Sequence, residues 1–456
     1  MASSSRRFPR LLVLAPALGL TLLGLHPASA SNDSLFDKQW SLTQANVAPA
    51  WAATTGGHVR IGIVDSGINR NHDDLNGRVV AAATCVGGCT ATGDGAGNDV
   101  AGHGTHVAGI AAATMGNGTG VAGVAPGADL VVASVFTCDG STPCDDPSAT
   151  IDDVAAGIDW VVANGAKVVN LSLGAGGGGL LGGIIGGGGN EDSPLGPAVQ
   201  RAWDRGAIPV LAAGNENASL FGANGSYGNI NAIVVGATTP NGSVASYSNG
   251  LAASTKWGLV APGGDSDGVN EHMIVSAFDG SGCNPAHAPN CYAYLSGTSM
   301  AAPMVTGAVA LLLSQGLSRE VAIKTLLDTA DRKGTCGAGC QGHLNVSNAV
   351  AVHASPGGGG SDTTATPTTK KKSTGTTRAP SAATTAAPTT AALAPETTVA
   401  DQTTSTTRKP PKAFVLNTTS KDSDEVSSPL ALGAFAALVL AAAGTLLKLR
   451  RNATGV

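Results

Sequence analysis

The sequence predicts an α/β fold: a parallel sheet with helices on both faces. Three observations point there. Residues 31–353 alternate β-branched runs with helical patterns. The runs are short and apolar, as strands covered on both faces must be. Apolar residues make up 43% of the 456, aromatics only 4%, and glycines number 64. That balance suits tight turns and small-residue packing rather than a disordered chain.

The elements follow in order. Val59 to Val64 reads as a strand ending at Asp65. Val131 to Val135, Val168 to Leu173, Ile208 to Ala213 and Ile233 to Val235 read as further strands. Helical patterns cover His103 to Ala113, Ile151 to Asn164, Pro197 to Arg205, Ser299 to Leu313 and Arg319 to Asp328. Sheets of this kind place ligands beyond the carboxyl ends of their strands, where Asp65 falls.

The two ends of the chain carry other signals. Arg6, Arg7 and Arg10 precede an apolar run, Leu11 to Leu25, and Ala28-Ser29-Ala30 follows. This is the pattern of a signal peptide over residues 1–30, with a mature start at Ser31. Residues 354–428 are rich in Thr, Pro and Ala and hold too few apolar residues for a core, so they read as a disordered or extended linker. A coil of that length reaches roughly 50 Å. Residues 429–447 form an uncharged apolar stretch just long enough to span a bilayer. Lys448, Arg450 and Arg451 then predict a cytoplasmic tail, 448–456, with everything before the helix outside.

Eight cysteines fit an exported chain. They fall in four close pairs: Cys85 with Cys89, Cys138 with Cys144, Cys283 with Cys291, Cys336 with Cys340. Proximity suggests four local disulfides. Zinc is disfavoured, because no paired C-x-x-C spacing occurs. The formal net charge of −5 gives no basic field for nucleic acid.

Three segments carry chemistry. Ile63-Val64-Asp65-Ser66-Gly67 puts a carboxylate at a buried strand end, where it needs a partner. Gly102-His103-Gly104-Thr105-His106 opens a helix. Gly297-Thr298-Ser299-Met300-Ala301 places a serine at a helix start, where the dipole favours developing negative charge. Singly, each has a plainer reading: Asp65 a turn acid, Ser299 an N-cap, Asn215 a turn former, His106 a structural histidine.

Together the three segments resemble the active-site signatures of the subtilisin-like serine peptidases, in the same Asp, His, Ser order. Leu211-Ala212-Ala213-Gly214-Asn215 resembles the family's oxyanion-hole segment. The resemblance spans nearly all of residues 32–352 and is nearest the thermitase-like branch. It implies a subtilisin-like fold and a serine endopeptidase. Ser299 would be the nucleophile, His103 the base and Asp65 its orienting carboxylate, with Asn215 a donor to the oxyanion. Substrate would be a protein or peptide bound as an added strand along Leu171, Ser172, Leu173 and Gly174, over a floor of Ala212, Ala213 and Gly214. The chain departs from the family after Gly174, where Ala175 to Gly189 inserts a glycine-rich stretch carrying Leu180, Leu181, Ile184 and Ile185. It reads equally as an apolar flap or a surface loop.

The resemblance also implies structural calcium. Asp33 lies in a segment similar to the family's mature N-terminus, and Asp74 matches a second carboxylate ligand. Asn117 by its side chain, and Thr114, Thr119 and Val121 by their carbonyls, complete a set of hard oxygen donors. No organic cofactor is implied. The calcium motif begins two residues past the expected cleavage point, so no folding pro-domain is expected between them. The whole reads as a monomeric, membrane-anchored peptidase. A dedicated processing peptidase of the mycosin kind and a non-catalytic binding module are the alternatives, and the intact Asp, His, Ser and Asn oppose the second. An α/β-hydrolase lacks support without G-x-S-x-G, and a metalloprotease without H-E-x-x-H.

Overall fold

The computed structural model describes residues 31–354, apart from 94, 139–143, 145–146, 174–194, 216, 218–229, 281–282, 284–289 and 333, together with 414–416. The signal segment, the glycine-rich insert and the expected membrane span lie outside the described residues. Among the described residues, no helix is long and apolar enough to cross a membrane.

Eight strands make the main sheet. They are β1 (Arg60–Asp65), β2 (Val79–Cys85), β3 (Cys89–Thr90), β4 (Asp129–Ser134), β5 (Val168–Leu171), β6 (Ile208–Ala212), β7 (Ile233–Thr238) and β8 (Trp257–Pro262). Their spatial order is β3-β2-β4-β1-β5-β6-β7-β8, parallel except where β3 turns back on β2. A separate antiparallel ribbon joins β9 (Ile274–Phe278) to β10 (Cys291–Leu295). Three residues of the stretch read as linker, Phe414–Leu416 (β11), pair with β10 as a third strand.

Side-chain alternation splits the core into two layers. Ile61 and Ile63 of β1, Leu130 and Val132 of β4, and Ile208 and Val210 of β6 face one layer. Val64, Val131, Ala133 and Leu211 face the other. The first layer is closed by α2 (His103–Ala112) and α5 (Thr298–Ser314), the second by α3 (Ile151–Ala163) and α4 (Gly196–Asp204). The fold is therefore the expected one, with helices on both faces. Shorter helices α1 (Trp40–Gln44), α6 (Arg319–Asp328) and α7 (Val346–Ala351) pack around the first layer.

Helix α5 is buried on nearly every side, so it is apolar all round rather than amphipathic. That is why it contains so much Ala, Val and Leu. Strands β2, β8, β9 and β10 escaped the sequence reading. β2 is alanine-rich, and β8 carries both Gly258 and Pro262, which are poor strand signals on their own. All four expected disulfides are present, and no cysteine is free.

Candidate active site

The chain leaves β4, crosses over central β1 and enters β5 on its other side. Ligand crevices in such sheets open beyond the strand ends at this kind of switch. In the register, Ile63 lies opposite Asn170. Asp65 ends β1, and Ser172 directly follows the end of the neighbouring β5.

Asp65 ends β1 with its carboxylate wholly out of water. Its Oδ1 accepts the Ser66 N–H at 2.7 Å and lies 2.7 Å from Nδ1 of His103. A carboxylate only accepts, so His103 carries a proton on Nδ1 and turns Nε2 away. Two glycines allow this closeness. A Cβ on Gly67 would stand 2.1 Å from the Asn98 carbonyl, and one on Gly104 would stand 2.1 Å from the Gly67 carbonyl. Burial pulls the His103 pKa down. The charge and hydrogen bond of Asp65, helped by the charge of Asp99, more than offset that, and the net shift is upward. Its side chain keeps 33% exposure, enough to meet a substrate.

His106, three residues along α2, behaves oppositely. Burial holds its pKa down at about 3, so it is neutral. Its Nε2–H is shared between the carbonyls of Ala293 and Ile274, at 3.0 and 3.2 Å. It ties α2 to the ribbon, the structural role read from sequence.

Ser299 lies in the first turn of α5, 8% exposed. Its hydroxyl donates to the Ser172 carbonyl at 3.1 Å. Ser172 thus ties the serine to the end of β5, the strand paired with the one that ends at Asp65. Across the crevice, Asn215 follows β6. Its Oδ1 accepts both the N–H and the Oγ–H of Thr298, each at 2.9 Å. A backbone N–H can only be met by the amide oxygen, which fixes the carboxamide orientation and turns Nδ2 outward. A Cβ built on Gly297 would lie 3.3 Å from that Nδ2 and 3.6 Å from the Ser299 nitrogen. Two N–H donors therefore border the space Gly297 leaves open. Asn249 secures the loop: its Nδ2 donates to the Ala213 carbonyl at 3.0 Å, and its N–H to the Gly214 carbonyl at 2.9 Å.

Of the expected substrate segments, Leu171 and Ala212 lie inside strands, paired with Leu211 and Val235. Ser172, Leu173, Ala213 and Gly214 lie past the strand ends and are buried. Gly174 lies outside the described residues.

Asp99 was not singled out in the sequence. Its carboxylate accepts from the N–H groups of Ala101, Gly102 and Thr105 at 2.8–3.0 Å, and from the hydroxyls of Thr105 and Ser66 at 2.5 and 2.7 Å. It caps the start of α2, where the dipole favours an anion. Ser66 Oγ in turn accepts the Gly104 N–H at 2.9 Å. The only signal in the sequence is an acid four residues before His103.

The calcium candidates also converge. Asp33 and Asp74 are buried. Asp33 accepts the N–H groups of Gly116 and Gly118, and Asp74 those of Val121 and the Asn117 amide, all at 2.9–3.2 Å. Burial, with the nearby charge of Asp33, pushes Asp74 up to about 6. No Lys or Arg forms an ion pair with either acid among the described residues. Two buried carboxylates lacking a cation, ringed by the 114–121 loop, suit a hard cation. Asn117 differs from the expectation: its Oδ1 accepts the N–H and hydroxyl of Thr119, so ligation requires that amide to turn.

Removing a negative charge beside a histidine lowers its pKa. The His103 imidazole, followed by NMR, is expected to titrate at lower pH in Asp65→Asn, and by a smaller step in Asp99→Asn. An unmoved titration in both variants would contradict the electrostatics described.

Residues 56–349 match the model of the subtilase family. The chain is 36% identical over 303 residues to a thermophilic serine proteinase of Bacillus sp. strain AK1, covering 66% of this chain and 64% of that protein. It is 35% identical over 321 residues to thermitase of Thermoactinomyces vulgaris, covering 70% of this chain and 98% of thermitase. Among solved structures, a protease of Pseudoalteromonas arctica superposes with a TM-score of 0.57 at 28% identity, covering 71% of this chain and all of that one. The matched fold and a family model spanning well over half the sequence place this chain in the subtilase family of serine endopeptidases.

Proposed function

We propose that this chain hydrolyses peptide bonds with Ser299 as nucleophile, His103 as general base and acid, and Asp65 as the orienting carboxylate. The observation that carries the reading is the 2.7 Å Asp65–His103 hydrogen bond at the end of β1, one strand away from the Ser172–Ser299 contact. The Ser299 hydroxyl turns from the Ser172 carbonyl toward His103 Nε2 and attacks the scissile carbonyl, giving up its proton. Asp65 holds Nδ1–H and stabilises the imidazolium. The new oxyanion is received by the Asn215 Nδ2–H and the Ser299 N–H. His103 then protonates the leaving amine, and water completes the cycle by the same route. Ser172-Leu173 and Ala213-Gly214 border the substrate strand.

A protonated imidazole cannot take a proton, so activity rises as pH passes upward through the raised pKa of His103. Ser299→Ala is expected to abolish hydrolysis of a denatured protein and labelling by a sulfonyl fluoride. Asn215→Ala is expected to lower kcat by roughly 10²–10³ with little change in KM. Wild-type activity in Ser299→Ala would end the assignment.

Calcium is proposed at Asp33, Asp74 and Asn117, with the carbonyls of Thr114, Thr119 and Val121. When bound it supplies charge neutralisation for the two buried acids. An ion held only by the folded state adds about 2.7 kcal/mol at a hundredfold excess over its Kd. A chelator is expected to lower the thermal inactivation midpoint, and Asp74→Ala to make that midpoint insensitive to chelator. An unchanged midpoint in the wild type would remove the ion from the proposal.

The chain is further proposed to be exported through residues 1–30 and held in the membrane by residues 429–447, with its tail in the cytoplasm. A tag after Val456 is expected to resist external protease on intact cells while residues 354–428 are cut. A digested tag would reverse this topology.

A further inference from the structure

Helix α5 carries Ser299 at its start and a proline one turn later. In an α-helix the carbonyl of Ser299 would accept the N–H of residue 303. That residue is Pro303, which has none. A buried carbonyl without a donor is costly, so something else must fill the place.

Ser172 fills it. Its Oγ–H donates to the Ser299 carbonyl at 2.8 Å. A hydroxyl has one proton, so Ser172 Oγ is left as an acceptor. Asn170 Nδ2–H donates to it at 2.8 Å. The Asn170 Oδ1 then accepts the Thr306 Oγ–H at 2.9 Å. Ser172, Asn170 and Thr306 are all buried. Each donor and acceptor has one available role, so the chain of bonds runs in one direction, from Thr306 to Ser299. Thr306 lies seven residues after Ser299, two turns along the same helix face. The relay thus leaves α5, passes through β5, and returns to α5 across the rung that Pro303 removes.

We propose that Asn170 and Thr306 are positioning residues for the nucleophile. Acting through Ser172, they fix the Ser299 peptide group. The braced carbonyl, the side chain bearing Oγ and the Ser299 N–H all meet at the Ser299 Cα, so one brace bears on both the attacking atom and one oxyanion donor. Ser172 holds the residue at two points, since its own carbonyl accepts the Ser299 hydroxyl. The inference rests on Ser299 being the nucleophile. It adds that the nucleophile's alignment is set from a threonine two turns deeper in the core. Small misplacements of a reacting atom cost rate rather than substrate binding.

The test uses the full chain and three measurements: the rate of Ser299 labelling by a small sulfonyl fluoride, kcat and KM on one peptide, and the pH profile. Thr306→Val keeps the shape and removes the hydroxyl. It is expected to slow labelling and kcat together by about tenfold, leave KM unchanged, and leave the acid limb where it was, because His103 is untouched. Thr306→Ser, which restores the donor, is expected to recover the wild-type rate. Should Thr306→Val fail to fold, Thr306→Cys keeps the volume with a weaker donor and is expected to fall between the two. Equal labelling rates in wild type, Thr306→Val and Thr306→Cys, or a loss that Thr306→Ser does not recover, would overturn the relay. Absence of label on Ser299 in the wild type would instead overturn the nucleophile assignment, and the relay with it.

Discussion

A carboxylate held out of water at the end of a central strand is the constraint on which the site depends. Asp65 Oδ1 is met by one backbone N–H and one imidazole N–H, and Oδ2 has no partner among the described residues. A charge so placed requires its donors to be held firmly. That demand explains the packing around it. Gly67 and Gly104 strip away side chains so that the strand end and the start of α2 can touch. Asp99 and Ser66 then bolt the two segments together through α2's free N–H groups. The histidine is thereby oriented and made more basic by the same contacts.

Ser299, the proposed nucleophile, is held on a different principle. Its helix is buried on nearly all sides, so orientation cannot come from an amphipathic face. Instead polar groups are inserted into the core at one face. Asn215 reads the backbone of Thr298, and Ser172 reads the backbone of Ser299. The first bond meets an N–H that the start of α5 leaves unpaired, the second a carbonyl that Pro303 leaves unpaired. The donors that face the crevice are those these bonds leave over.

The N-terminal arm is tied to the same machinery. Gln39 exchanges two hydrogen bonds of 2.8 Å with the backbone of Ala122, and Trp40 donates to the Met273 carbonyl at 2.9 Å. The loop 114–121 that surrounds Asp33 and Asp74 directly follows α2. Neutralising those acids would therefore stiffen the helix that presents His103.

The sequence alone determined the α/β class, the boundaries of β1, β5, β6 and of five helices to within a few residues, and the four local disulfides. These are short-range signals: apolar runs, helical spacing and cysteine proximity. It also marked Asp65, His103, Ser299 and Asn215, because their motifs together resemble the subtilisin-like signatures, although each read singly has a plainer meaning. What it did not contain was pairing. Asp99 looks like any loop acid until α2's N–H groups are turned toward it. Asn170 and Thr306 look like ordinary strand and helix residues, 136 positions apart, until the register of β5 against α5 joins them. Whether Pro303 leaves a carbonyl empty or filled depends on Ser172, which only the packed sheet brings to it. Residue types and local spacing state which chemistry is available. The hydrogen-bond partners of buried groups are decided by tertiary contact, because a buried donor or acceptor must be satisfied by whatever the fold places beside it.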